Sequence, residues 1–191
     1  MKGCRPLTDA EIKTCLASLA GNTHSMRDRA LFLLGIRSGF RISELLSLRI
    51  EDVYQNGNYA DRVTVAKRNM KKKRESRTVP IHPEAMSALK PLIDSIGIEN
   101  PKAFLFQSQK GGKRLHRGTA WHLLKKAYIA CGMTGKVACH SMRKTFAKRV
   151  YEKLGRDLIA TQKAMGHLEI TSTASYLSFA DEEIDDAILK S

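Results

Sequence analysis

Apolar residues recur at helical spacing through most of the chain. In "LTDAEIKTCLASLAG", Ile12, Cys15, Leu16 and Leu19 share a face, Thr8 and Glu11 stand at capping-box spacing, and Gly21 supplies a stop. "SMRDRALFLLGIRSG" predicts a second, more buried helix ending near Gly39, and "RISELLSL" begins a short third one. The period then changes. "RVTVA" and "SRTVPI" read as two strands flanking "KRNMKKKRE", a hairpin with a basic tip. From Pro83 a helical face resumes with Met86, Leu89, Ile93 and Ile96, and Pro91 inside it predicts a kink or break. "AFLF" reads as a short apolar strand and "SQKGGKR" as a turn. An amphipathic helix from about Thr119 to Cys131 carries the only tryptophan, Trp121, and "SMRKTFAKRVYEKLG" and "LIATQKAMG" predict two more. The expected fold is α+β, mainly α-helical with a small antiparallel β-sheet.

A length of 191 residues suits a single domain with a sizeable core. No apolar run approaches the roughly 18 residues of a membrane span, and "MKGCRPLTDAEIK" has no apolar signal region. The cytoplasm is the expected compartment. Cys4, Cys15, Cys131 and Cys139 lack metal-ligand spacing and read as reduced, mostly buried thiols. Motifs for nucleotide phosphates and for zinc proteases are missing, so no cofactor and no metal are expected.

Charge changes the picture most. The formal net charge is +14 with a pI near 9.8, which points to a polyanionic partner. The basic residues do not lie on one long amphipathic helix, which favours nucleic acid over a membrane surface. Between residues 62 and 77, eight basic side chains accompany one acid. Like charges at that density repel, and phosphates relieve the repulsion. Arg68, Lys71, Lys72, Lys73, Arg74 and Arg77 are therefore the expected DNA contacts.

Three short stretches carry candidate chemistry. "GFRISELL" sets Arg41 and Glu44 three apart, where the carboxylate can orient the guanidinium or merely form an exposed ion pair. "CHSMRKTFA" sets His140 and Arg143 on one helical face. "MGHLEITSTASY" places Tyr176 nine residues after His167. Alone, each has a bland reading: a surface pair, a capping histidine, a packed aromatic. Their order along one chain, with a basic hairpin between the first two, is the informative feature.

In that order, the chain resembles the catalytic domain of the tyrosine recombinases, the family of phage integrases, chromosome-dimer resolvases and DNA invertases. The resemblance runs from about Thr8 to Ala180, with "SGFRISELLSL", "HSMRKTFA" and "MGHLEITSTASY" as its three boxes. It implies that fold, a single catalytic domain over residues 1–191 with its core at 8–180, and these roles. Arg41 and Arg143 would bind the phosphate, His140 would precede the second arginine, His167 would be the third-box histidine, and Tyr176 the nucleophile. Glu44 would support Arg41. Lys67 in "VTVAKRN" best matches the family's hairpin lysine, with Lys71, Lys72 and Lys73 crowding the same turn.

The chemistry suits these residue types. A phosphodiester gains negative charge on its nonbridging oxygens during attack, so catalysis rests on positioning and electrostatics. Guanidiniums are planar, permanently charged and form paired hydrogen bonds. A phenol, with a reference pKa of about 10, must lose its proton as it attacks. His140 is a candidate base and Lys67 a candidate acid for the departing hydroxyl, while His167 would donate to the phosphate. The resemblance implies a 3′-phosphotyrosyl link formed without ATP or metal, double-stranded DNA as partner, a tetramer on two duplexes that is weak or monomeric without DNA, and accessory DNA-bending proteins in some systems. The tail "DEEIDDAILKS", 181–191, is expected to form a helix docking in trans or folding back on its own domain. With seven residues before Thr8, the family's N-terminal core-binding domain is expected to be absent, as in an excised fragment or a one-domain recombinase of bacterial or phage origin. A type IB topoisomerase and a catalytically impaired DNA-binding fragment are the rival readings.

Overall fold

Seven consecutive residues, 30–36, are buried, more than a helix with one apolar stripe would show. They belong to α2 (Ser25–Ser38), around which the rest of its unit is built. In this computed structural model the described residues are 3–66, 76–109, 112–177 and 188–189. They divide into two compact units, Cys4–Phe146 and a smaller one made mainly of the described part of Ala147–Ser191.

In the larger unit, α1 (Asp9–Ala20) starts at the expected capping box, with both Thr8 and Glu11 bonds formed, and buries Ile12, Cys15 and Leu19. It packs on α2, as does α4 (Pro83–Ile96), which buries Ala85, Leu89, Leu92 and Ile93. Each fully buried aliphatic side chain contributes roughly 1.5–3 kcal/mol. Pro91 neither breaks nor ends α4. Both Pro91 and Ser87, the residue whose carbonyl loses its helical donor, are exposed, so water can serve that carbonyl.

Two small antiparallel hairpins replace the single expected sheet. The first, β1 (Tyr54–Gln55) with β2 (Asn58–Tyr59), turns on Asn56 and Gly57, both at positive φ. That is the two-residue turn favoured by strand twist, and the Asn-Gly dipeptide was its signal. The second pairs β3 (Arg62–Val65) with β4 (Arg77–Pro80), Val63 opposite Val79 and Val65 opposite Arg77. Its tip, 67–75, lies outside the described residues. "AFLF" forms only one isolated bridge, Arg49 to Phe104, flanked by hydrogen bonds from Ile50 N to Ala103 O and from Leu105 N to Leu48 O. Next come α5 (Arg117–Ala130) and α6 (Cys139–Lys153), whose residues beyond Phe146 belong to the second unit. That unit continues with α7 (Leu158–Met165) and α8 (Ile170–Ala174). The expected tail helix lies outside the described residues except for 188–189.

One contact sets where the site forms. A Cβ on Gly35 would come within 2.7 Å of the Met142 sulfur, and one on Gly39 would overlap the Phe146 ring. Gly35 and Gly39 are one turn apart on α2, and Met142 and Phe146 are one turn apart on α6. Two bare positions thus let α6 lie close against the end of α2. Gly39 is also the left-handed cap of α2, at φ 63°. Gly39→Ala is expected to cost roughly 1–2 kcal/mol from the backbone alone, with the displaced ring adding to it. Urea denaturation of the variant beside wild type checks this, and an unchanged midpoint would refute the close approach.

Candidate active site

Helix α2 ends in carbonyls without helical donors, and these carry the negative end of its dipole. Two arginines bind there. Arg77 donates from Nη2 to the Ser38 carbonyl at 2.9 Å, and Arg143 donates from Nη1 to the Gly39 carbonyl. Arg143 is 1% exposed and heads the largest fully buried side chains among the described residues. Its burial follows from its position on α6, next to Met142 and three residues before Phe146, on the part that packs against α2.

Arg41 follows the same turn. The Glu44 carboxylate accepts from the Arg41 backbone N–H at 2.7 Å and from its guanidinium at 2.8 Å. Glu44 is fully buried, whereas the Arg41 side chain keeps 29% of its surface open. Of the two readings open for this pair, a buried orienting carboxylate is what forms. A guanidinium held from below and open above is suited to an incoming anion.

Arg77 departs from expectation. By charge it belongs with the surface cations of the hairpin, but it is 7% exposed. Strand alternation explains this: Arg77 shares the inward face of the hairpin with Val63, Val65 and Val79. Its guanidinium lies 4.9 Å from the Phe40 ring centre and 5.8 Å from that of Phe146. Its pKa is lowered to about 9 by burial first, then by Arg143, with Glu44 opposing and Arg41 adding to the fall. It remains charged at neutral pH. The structure thus adds a third guanidinium to the two that the sequence pointed to.

His140 stands at the start of α6 and is exposed. Its pKa is nonetheless pushed down to about 4, by desolvation first and then by Arg143, Arg41 and Lys144. Because the ring still meets water, repulsion by the three cations is the firmer cause. The imidazole is neutral at pH 7, as a proton acceptor must be.

The other two expected residues meet in the smaller unit. Gly166 ends α7 in the left-handed region, and His167 follows it. His167 Nδ1 shares a 2.9 Å hydrogen bond with the Thr173 hydroxyl of α8, and both residues are buried. The Tyr176 ring packs edge-on against His167, with centroids 5.0 Å apart. The Thr/Ser-rich link therefore folds as a short helix, with Thr173 as the member that holds the histidine. Lys67, Arg68, Lys71, Lys72, Lys73 and Arg74 lie outside the described residues.

The profile of the phage integrase family matches residues 5–183. This chain belongs to the phage integrase family. A tyrosine recombinase of Pseudothermotoga lettingae is 31% identical over 87% of this chain and 54% of its own length. The chain thus spans about half the length of that relative. Among solved structures, XerA recombinase has the same fold, with a TM-score of 0.77 and 23% identity over 100% of this chain and 66% of the other. The site-specific recombinase XerH, in a post-cleavage complex with its palindromic difH substrate, matches with a TM-score of 0.74 and 25% identity over 98% of this chain and 53% of that one. These integrase relatives fit the α+β expectation, helices with small antiparallel hairpins. Among the described residues no helix is long and apolar enough to cross a membrane.

Two expected outcomes follow from this geometry. Glu44→Gln keeps the size but removes the charge that orients Arg41, and is expected to lower stability by roughly 1–3 kcal/mol. Denaturation midpoints check this, and a neutral result would reduce the pair to a surface contact. His140 has a folded pKa of about 4 against an ordinary 6.5, so the unfolded chain takes up its proton first as pH falls. His140 thus removes stability as pH drops from about 6.5 to about 4. His140→Gln should therefore gain stability relative to wild type on moving from pH 7 to pH 5, a difference that paired denaturation curves measure.

Proposed function

We propose that this chain is the catalytic domain of a site-specific DNA recombinase or integrase acting through Tyr176. The observation that carries the reading is the set of buried guanidiniums on one helix end, with the Arg41–Glu44 pair open to an anion above it. Arg41 and Arg143 bind the nonbridging oxygens of the scissile phosphate. Arg77 shares the end of α2 with Arg143, raising the local positive charge and holding the turn. Each phosphate contact is worth roughly 3 kcal/mol in the transition state, by analogy with an oxyanion donor.

The Tyr176 oxygen attacks phosphorus as the bond to the 5′ oxygen of the next nucleotide breaks. Neutral His140 takes the phenol proton, directly or through water. Lys67 gives a proton to the departing 5′ oxygen. His167 donates to the phosphate, with its ring orientation set by Thr173. The 3′-phosphotyrosyl link conserves the bond energy, and the 5′-hydroxyl of a second DNA end reverses the step and reseals the strand. No ATP or metal enters this sequence of bonds.

Double-stranded DNA is the partner, in keeping with the +14 charge and with the DNA in the XerH complex. Assembly is a tetramer on two duplexes, weak or monomeric without DNA, with DNA-bending proteins assisting. The compartment is the cytoplasm of a bacterial host. The smaller unit leaves Leu154, Ile159, Leu168 and Ile170 exposed, which supports a surface covered on assembly. The tail beyond Ala180 is the segment that docks in trans, and its removal should weaken assembly on DNA.

A nicked suicide substrate carrying the cognate site tests the enzyme. A covalent protein–DNA adduct is expected from wild type and none from Tyr176→Phe. An adduct that survives that substitution would remove Tyr176 from the role of nucleophile. Lys67→Ala should lose cleavage of normal DNA and recover it on a substrate with a sulfur leaving group, which needs no acid. Absence of rescue would pass the role to another group.

A further inference from the structure

The segment 4–7, just before α1, is held down by more bonds than a lead-in to a helix needs. Cys4 and Leu7 are buried, and Arg5 between them fastens the segment on two sides. The Arg5 backbone N–H donates to the Lys136 carbonyl at 2.9 Å. Its guanidinium donates from Nε and Nη2 to the Thr134 carbonyl at 3.0 and 2.7 Å. Nη1 and Nη2 also pair with the Glu11 carboxylate of α1. The segment is thus clasped between the start of α1 and the connection that leads from α5 into α6.

Its far end bonds to α6 itself. The Leu7 backbone N–H donates to the Thr145 hydroxyl at 2.8 Å, and that hydroxyl donates to the Ser141 carbonyl at 2.8 Å. Thr145 is 2% exposed and Ser141 is fully buried, so water cannot replace either bond. Thr145 stands two residues after Arg143 and five after His140. At about 100° per residue, the start of α6 has three working faces. Met142 and Phe146 meet α2, Ser141 and Thr145 lie toward the clasped segment, and His140 and Arg143 take the side that remains. A helix gripped on one face can still roll about its axis. A grip on a second face removes that freedom. Side chains reach roughly 5–6 Å from a helix axis, so a roll of about 10° moves their ends by roughly 1 Å. In a reacting site a misplacement of about 1 Å can cost on the order of 10²-fold in rate.

We propose that Thr145 is a positioning residue, which by accepting the Leu7 N–H fixes the roll of α6 and so the aim of His140 and Arg143 at the phosphate. The inference rests on the recombinase reading above and adds to it a group that touches neither DNA nor the reacting atoms. Thr145→Val keeps the shape of the side chain, removes both bonds and leaves the Leu7 N–H buried without this acceptor. Thr145→Ser keeps the hydroxyl and with it both bonds.

The nicked suicide substrate, at saturating DNA, tests this. Thr145→Val is expected to form adduct roughly 10- to 100-fold more slowly than wild type while binding the same DNA equally well, and Thr145→Ser to restore the rate. Hydrogen exchange without DNA is the second readout: amides in the first two turns of α6 should exchange faster in Thr145→Val and at the wild-type rate in Thr145→Ser. If Thr145→Val does not fold, Arg5→Ala, which opens the clasp from the outside, takes its place under the same two readouts. A wild-type cleavage rate in the variant overturns the proposal, as does a Thr145→Ser rate no better than that of Thr145→Val. A wild-type chain that forms no adduct on its cognate site removes the recombinase reading instead. In that case α6 amides that exchange in the variant as they do in wild type overturn the positioning role as well.

Discussion

The end of one helix governs this site. The carbonyls of Ser38 and Gly39 at the close of α2 accept hydrogen bonds from Arg77 and Arg143, and the residue two places on is Arg41. A buried charge needs compensation, and a helix C-terminus supplies it without adding an acidic side chain. Had carboxylates filled that role, they would have neutralised the guanidiniums and repelled a phosphate. Backbone carbonyls hold Arg77 and Arg143 in place and leave their positive charge unneutralised. The bare surface at Gly35 and Gly39 is the precondition, because it lets α6 come close enough to deliver Arg143.

The same arrangement accounts for the electrostatics around it. Arg77 has a lowered pKa and His140 a more strongly lowered one, and both shifts include repulsion by Arg41 and Arg143. Both record a region that tolerates additional positive charge poorly. Glu44 is the acid that offsets part of it for Arg77. An anion would relieve the remaining strain, and in the proposed reaction one whose charge grows during attack would be bound more strongly in the transition state than in the ground state. The neutral His140 is a consequence of the same field: the cations that would stabilise a phosphorane also keep their neighbour ready to take a proton.

Much of this was legible in the sequence, and the gaps have definite causes. The capping box of α1, the glycine end of α2 and the strands flanking the basic segment come from local patterns, and all formed. Arg41 with Glu44, His140 with Arg143, and His167 with Tyr176 were readable because each pair is local in sequence. Charge alone groups Arg77 with the DNA contacts, whereas strand alternation with Val79 two residues on marks its inward face. The Asn56-Gly57 dipeptide is a local hairpin signal that an expectation of one sheet leaves out. The unbroken passage of α4 through Pro91 was not readable, since it depends on which face meets water. Contacts distant in sequence, such as Gly39 with Phe146 or Gly35 with Met142, have no local signal at all.

The two halves of the chemistry rest on unlike supports. The arginine half is anchored in a core helix by buried hydrogen bonds and tight side-chain contacts, so displacing it disturbs the whole larger unit. The tyrosine half is carried by α8, a helix of five residues, far shorter than a helix that is stable in isolation. What organises it locally includes the Thr173–His167 bond and the edge-on contact of Tyr176 with that ring. The hydrogen bond and the aromatic contact are together worth on the order of 1–3 kcal/mol. In the proposed reaction, a site that holds a phosphate through attack and reversal benefits from a rigid binding half. The nucleophile of the proposed reaction, which reaches phosphorus, stays bonded to it and is then released, is carried on a helix of five residues. The sequence supports both with the same residue types, and the difference lies in what each is packed against.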